Sequence, residues 1–186
     1  MGTGTGAITM TSGLSAGGFT LDASRFGGAI DISNVTGSGA VVVSMGTTGD
    51  FSANNIHTTG AITIDGATSV TGSVALATLS ASGAVTVAMG AGSGSLAVTS
   101  TVNSEKGVTL DASKFGGTVD IAGISASGNT TVSINGGDFS AGTTYTDGNF
   151  TLDASTSTTG TVTLTAISAG KAATISMGGG SGALAV

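Results

Sequence analysis

Short stretches in which every second residue is apolar recur along this chain. In "FTLDAS" Phe19, Leu21 and Ala23 alternate with Thr20, Asp22 and Ser24, and in "VVVSM" Val41, Val43 and Met45 share one parity with Ser44 on the other. Successive side chains of an extended strand point to opposite faces, so a period of two predicts strands with one buried and one wet face. No window carries a sustained apolar stripe at the 3.6-residue spacing of a helix. Clusters of Gly and Ser close each stretch after about five residues, which predicts tight turns or bends there.

The stretches return in a fixed order. "FTLDAS" (19–24) is matched by "ITIDGA" (62–67), "VTLDAS" (108–113) and "FTLDAS" (150–155). "AIDISNVTGSG" (29–39) is followed in kind by "VALATLSASG" (74–83), "VDIAGISASG" (119–128) and "VTLTAISAG" (162–170). A third series runs "VVVSMG", "VTVAMG", "TVSIN" and "TISMG", and a fourth "GDFSA", "GSLAV", "GDFSA" and "GALAV". The equivalent positions Met45, Met89, Ile134 and Met177 are 44, 45 and 43 residues apart, so the unit is about 44 residues with four short strands. A weaker alternation doubles it to about 88 residues, since "GDFSA" and the Phe-Gly-Gly that begins at Phe26 and Phe115 belong to alternate units. Units lie near 1–44, 45–88, 89–132 and 133–176, with a fifth opening at 177–186. "MGTGTGAITM" (1–10) aligns with "MGGGSGALAV" (177–186), which puts Met1 at the repeat position of Met45. The expectation is a single continuous array, excerpted from a longer periodic polypeptide.

Two all-β architectures accommodate this spacing. In a parallel β-solenoid each unit makes two coils of about 22 residues, or one larger coil, with equivalent residues stacked about 4.8 Å apart. In tandem β-sandwiches the 88-residue double unit is one domain of about eight strands. Hairpin dipeptides are scarce, with "DG" only at 65–66 and 147–148. Small, near-identical side chains suit a thin interior in which each residue packs on its counterpart above and below. The parallel solenoid is therefore the expected fold, with the sandwich as its alternative.

Composition narrows the functional classes. With 34 Gly, no Pro, Cys or Trp, six Phe and only 8% charged residues, the chain is rich in small and β-branched side chains. A net charge of −6 with four Lys and Arg leaves no basic stripe for phosphates and no aromatic platform for bases, so nucleic acid is not an expected partner. No apolar run approaches the roughly 20 residues of a membrane span, and the opening residues lack the basic and apolar regions of a signal peptide. Low charge, abundant Ser, Thr and Gly and the lack of Cys point to an extracellular bacterial protein.

Candidate chemistry is sparse. His57, in "NNIHTTG", is the one histidine, and it is expected as a surface residue in a turn rather than a catalytic one. Glu105 and Lys106 mark an exposed turn. No glycine cluster leads from a strand into a helix with a Lys, as a phosphate loop requires. The carboxylates fall into series: Asp22, Asp65, Asp111 and Asp153; Asp31 and Asp120; Asp50 and Asp138. Calcium takes six to eight oxygens, and its candidate ligands here are Asp22, Asp65, Asp111, Asp153, Asp50 and Asp138. The favoured reading of these rows is a solvated polar face that keeps strands from pairing sideways. No catalytic set and no other cofactor are expected.

The phrases "GVTLDASKFGGTVDIAGISASG" (107–128) and "GTVTLTAISAGKAATISMGGGSG" (160–182) resemble the β-strand-repeat regions of large bacterial surface proteins. Those include surface-layer proteins and giant secreted proteins related to the RTX group. The resemblance covers essentially the whole chain and implies an extracellular structural role, often with calcium. "GGDFSAG" (136–142) only partly echoes the RTX nonapeptide, and no two tandem copies occur. The expected function is thus a structural, non-enzymatic segment of a surface layer or filament, which self-associates with further repeats or identical chains. An adhesin stalk or ligand-binding module is the alternative. Ice binding ranks below it, because the wet series reads T-x-D rather than T-x-T.

Overall fold

The computed structural model describes residues 4–11, 13–46, 49–66, 71–157, 159–179 and 182–186. Met1, and Ala67 at the end of the second "TIDGA"-type phrase, lie outside the described residues. The chain opens with β1 (Ile8–Met10) and β2 (Leu14–Ala16). Short and long strands then alternate: β3 (Phe19–Ala23), β4 (Ile30–Gly37), β5 (Val41–Met45), β6 (Phe51–Thr58), β7 (Ile62–Gly66) and β8 (Ser73–Ala81). The alternation continues through β9 (Val85–Met89), β10 (Ser95–Ser104), β11 (Val108–Ala112), β12 (Thr118–Ala126) and β13 (Thr130–Ile134). It ends with β14 (Phe139–Thr146), β15 (Phe150–Ala154), β16 (Val162–Ala169), β17 (Ala173–Met177) and β18 (Leu184–Ala185).

Every pairing is parallel. The odd strands from β3 to β17 stack in order as an eight-stranded sheet, and the even strands with β1 and β2 stack as a ten-stranded one. Each coil contributes one short and one long strand, and the two sheets enclose a single core. The fold is a parallel β-solenoid, and the tandem-sandwich alternative is set aside because its strands would pair antiparallel. Register partners such as Val41 and Ile62, or Phe51 and Val74, are 21 and 23 residues apart, so each 44-residue unit is two coils rather than one.

The alternation read from sequence is the one that builds the core. Val41, Ile62, Val85 and Val108 stack in one inward column of the short-strand sheet, and Val43, Ile64, Val87, Leu110, Val132 and Leu152 in the next. Burying an aliphatic side chain of this size contributes about 1.5–3 kcal/mol, and repeating it at every rung offsets the entropy of ordering so many glycines.

The expectation of a turn after every five residues holds in only one of the two sheets. Turns do follow five residues in the short strands, but the long strands run eight to ten. Thus "GDFSA" is only the start of β6, which continues through Asn54, Asn55, Ile56 and His57 to Thr58, with Ile56 and Thr58 pointing inward. Within β10 four residues separate Val98 from Val102, where β8 and β12 use three, and the extra residue is accommodated as a bulge. Beneath it lies an apolar void of about 10 Å³ lined by valines, leucine and isoleucines.

The double period has a packing cause. Down the last inward column of the short strands the residues read Ala23, Met45, Gly66, Met89, Ala112, Ile134, Ala154 and Met177, small and large by turns. Where the residue is Ala23 or Ala112, a turn closed by Phe26 N–H to Ala23 O (2.9 Å) or Phe115 N–H to Ala112 O (3.0 Å) brings a phenylalanine to the core. Where it is Met, the side chain fills that space itself. The equivalent turn at Ala154 carries Ser157 instead, with the same N–H bond at 2.9 Å. This difference makes the 88-residue period.

A second column explains part of the glycine content. Gly28, Gly49, Gly72, Gly94, Gly117, Gly137, Gly160 and Gly182 stand one above another where the chain enters the long strand. A Cβ on any of them would come within 3.0 Å of the backbone carbonyl of the glycine one coil earlier, closer than real Cβ atoms approach. The corner can close at the rung spacing only without a side chain.

Candidate functional site

The aspartates turn out to be joints of the coil. Asp22 accepts the N–H and the hydroxyl of Ser24 at 3.1 and 2.7 Å, Asp111 the N–H of Ser113 at 3.1 Å, and Asp153 the N–H of Ser155 at 2.9 Å. An Asp that bonds the backbone two residues ahead makes an Asx turn, so the phrase Asp-Ala-Ser is itself the signal that ends each such strand. The Ser24 hydroxyl, followed by its N–H, holds the Asp22 carboxyl below the usual carboxylate range, and Ser155 does the same for Asp153.

The other two series bind coil to coil. Asp50 accepts the Ser73 N–H and Asp138 the Thr161 N–H, both at 2.8 Å, each reaching one coil onward. Asp31 accepts the Ser52 hydroxyl at 2.8 Å and Asp120 the Ser140 hydroxyl at 2.5 Å across adjacent rungs. At the opposite corner Asn129 accepts the Asn149 N–H at 2.9 Å, and Asn149 accepts the Ala172 N–H at 3.2 Å.

As calcium candidates these residues are spread out. In the outward column of the short-strand sheet, Asp22, Asp65, Asp111 and Asp153 are separated by Ser44, Ala88 and Ser133, which puts successive carboxylates two rungs, or about 9.6 Å, apart. Calcium–oxygen distances are only about 2.3–2.6 Å. Asp50 and Asp138 lie four rungs from each other along the long-strand sheet, about 19 Å. Among the described residues no group of three or more His, Cys, Asp or Glu side chains is gathered where it could hold a metal ion.

Beside the aspartates runs a row of threonines. Thr20, Val42, Thr63, Thr86, Thr109, Thr131, Thr151 and Thr174 occupy one outward column, unbroken Thr over the last six rungs. Stacked β-branched hydroxyl residues stabilise a sheet through cross-strand contacts. Their companion column supplies Asp, Ser or Ala, so no rung carries T-x-T.

His57 is exposed, but it sits on β6 rather than in a turn, and it makes no side-chain hydrogen bond among the described residues. Glu105 and Lys106 are exposed in the bend between β10 and β11, as expected. His57 heads a row that the sequence reading did not assemble: His57, Ser80, Asn103, Ser125 and Tyr145 are register partners on five successive long strands. With Glu105 and the neighbouring corner, His57, Ser80, Asn103 and Ser125 border a trough of about 250 Å³, and Tyr145 lies one rung beyond Ser125. Only strand register brings these residues together, since they are 20 to 23 residues apart in sequence and differ in type.

Among the described residues no helix is long and apolar enough to cross a membrane. No protein-family model, curated protein or solved structure matches the chain.

Proposed function

We propose that the chain is a non-enzymatic structural segment of an extracellular bacterial assembly, a surface layer or a filament, joined to further repeats or identical chains. The observation that carries this reading is the use of the carboxylates: seven of them bond Ser or Thr groups that close a turn or bridge two coils. Charge that serves the frame in this way suits a rod whose task is to hold shape. Parallel ladders running through all eight strands of the short-strand sheet, seven steps or about 34 Å of axial rise, support the same reading, because backbone pairing of this kind resists local opening. The resemblance to bacterial strand-repeat surface proteins supports the location.

Antibody labelling of intact cells, combined with limited proteolysis of the purified chain, tests the proposal. Surface labelling and survival of the coil region under protease are the expected results. Labelling only after lysis, or rapid cleavage within the strands, overturns it. The trough beside Asn103 favours a second reading, an adhesin stalk or ligand-binding module.

A further inference from the structure

Several outward polar side chains of the long-strand sheet are paired across adjacent rungs. Ser52 bonds Asp31, Ser140 bonds Asp120, and Asn55 donates to Asn34 at 2.8 Å. The trough departs from this. His57, Ser80, Ser125 and Glu105 make no side-chain hydrogen bond among the described residues, and the Asn103 amide reaches only Thr101 O at a long 3.4 Å. Their register makes the row straight, one group per rung, about 19 Å from His57 to Tyr145.

At the far end the Tyr145 hydroxyl donates to Asp147 at 2.5 Å, which fixes the ring, and that bond raises the phenol's pKa above its ordinary value. The ring is 48% exposed and has the small Ser125 and Ser168 as its register partners. An apolar ring face therefore adjoins a line of hydrogen-bond donors and acceptors.

We infer that this row is a binding groove for an extended neutral polysaccharide lying along the solenoid axis. Sugar hydroxyls both donate and accept, so they can pair with hydroxyl, amide, imidazole and carboxylate groups alike. The C–H face of a pyranose covers an aromatic ring, as Tyr145 requires. The repeat of an extended glycan is of the same order as the rung spacing of about 4.8 Å, which lets successive sugars meet successive rungs. Charge selects against acidic glycans: Glu105 lies in the groove, and the chain carries a net −6.

Calorimetric titration of the intact chain with neutral hexasaccharides (cello-, xylo-, manno- and maltohexaose), and with their disaccharides, tests this. At least one hexasaccharide binds saturably and more tightly than its disaccharide. Asn103→Ala and Tyr145→Ala each weaken it at least about tenfold, equivalent to 1.4 kcal/mol, with unchanged melting, while Thr86→Ala on the opposite sheet leaves it intact. Absence of saturable binding, equal affinity for disaccharides, preference for an acidic glycan, or affinity untouched by Asn103→Ala and Tyr145→Ala would each overturn the groove. A rod can serve an assembly without binding saccharide, so these outcomes leave the scaffold reading to its own test.

Discussion

The glycine column makes a prediction that separates steric necessity from mere abundance of glycine. Gly94 lies mid-array, and a methyl group there would meet the carbonyl of Gly72 directly below, with that residue's carbonyl carbon and Thr71 also inside ordinary contact. Neither can yield as a flexible side-chain end would, because all three atoms are backbone. Either the corner lifts away or the chain rotates, and both disturb the ladder that joins β10 to β8. Overpacking of this kind costs about 1–3 kcal/mol, and one or two weakened ladder bonds add about 0.5–1.5 each. Gly94→Ala should therefore destabilise by about 3 kcal/mol, a fall in melting midpoint of roughly 6–12 °C for a chain of this size. Gly6→Ala is the internal control: it belongs to the same column, yet nothing lies within 4 Å of the added methyl. Thermal unfolding followed by circular dichroism reads both variants. Equal midpoints for Gly94→Ala and the parent chain, or equal damage from Gly6→Ala, would show that the column is not a steric requirement.

Other outcomes follow from named groups. Thr144 Oγ1 is buried with no partner, so Thr144→Val, nearly the same shape, should raise stability by about 1 kcal/mol in denaturant titration; a loss would mean the hydroxyl is satisfied. Asp22 and Asp153 have folded pKa values below the usual 3.8, so their contribution is complete above that pH and is lost as acid protonates them through the lower folded value. The melting midpoint should fall below about pH 4, and less so in the double variant Asp22→Asn, Asp153→Asn; identical acid profiles would contradict the assignment. Because the Asp groups bond Ser and Thr within the frame, a chelator should leave the midpoint unchanged, and a marked drop would restore calcium as a structural ligand.

Much of the fold could be read in the sequence because a solenoid repeats its local rules. Alternation in "FTLDA" and "VVVSM" located the short strands and their inward faces, since one buried column per parity leaves little choice. The continuation of β6 was hidden because "NNIHT" presents its inward residues as Ile56 and Thr58 among polar neighbours. Thr58 is buried because its hydroxyl bonds the Gly39 carbonyl at the corner, a partner 19 residues away. Coil length was obscured because adjacent coils solve the same packing problem differently, with Met45 in one and Ala23 plus Phe26 in the other. In sequence the Asp-Ala-Ser phrases read as a solvated row, although an Asp two residues before a Ser at a strand end is the signature of the Asx turns they form, whereas the row from His57 to Tyr145 exists only in the register.

The proposed role has repeated parallel coils forming a stiff rod for an extracellular assembly. Electron microscopy and diffraction of the native material test it most directly. Rods or lattices with a spacing of about 4.8 Å along the rod axis are predicted, the strands lying across that axis. Dispersed globular particles without that spacing would contradict it.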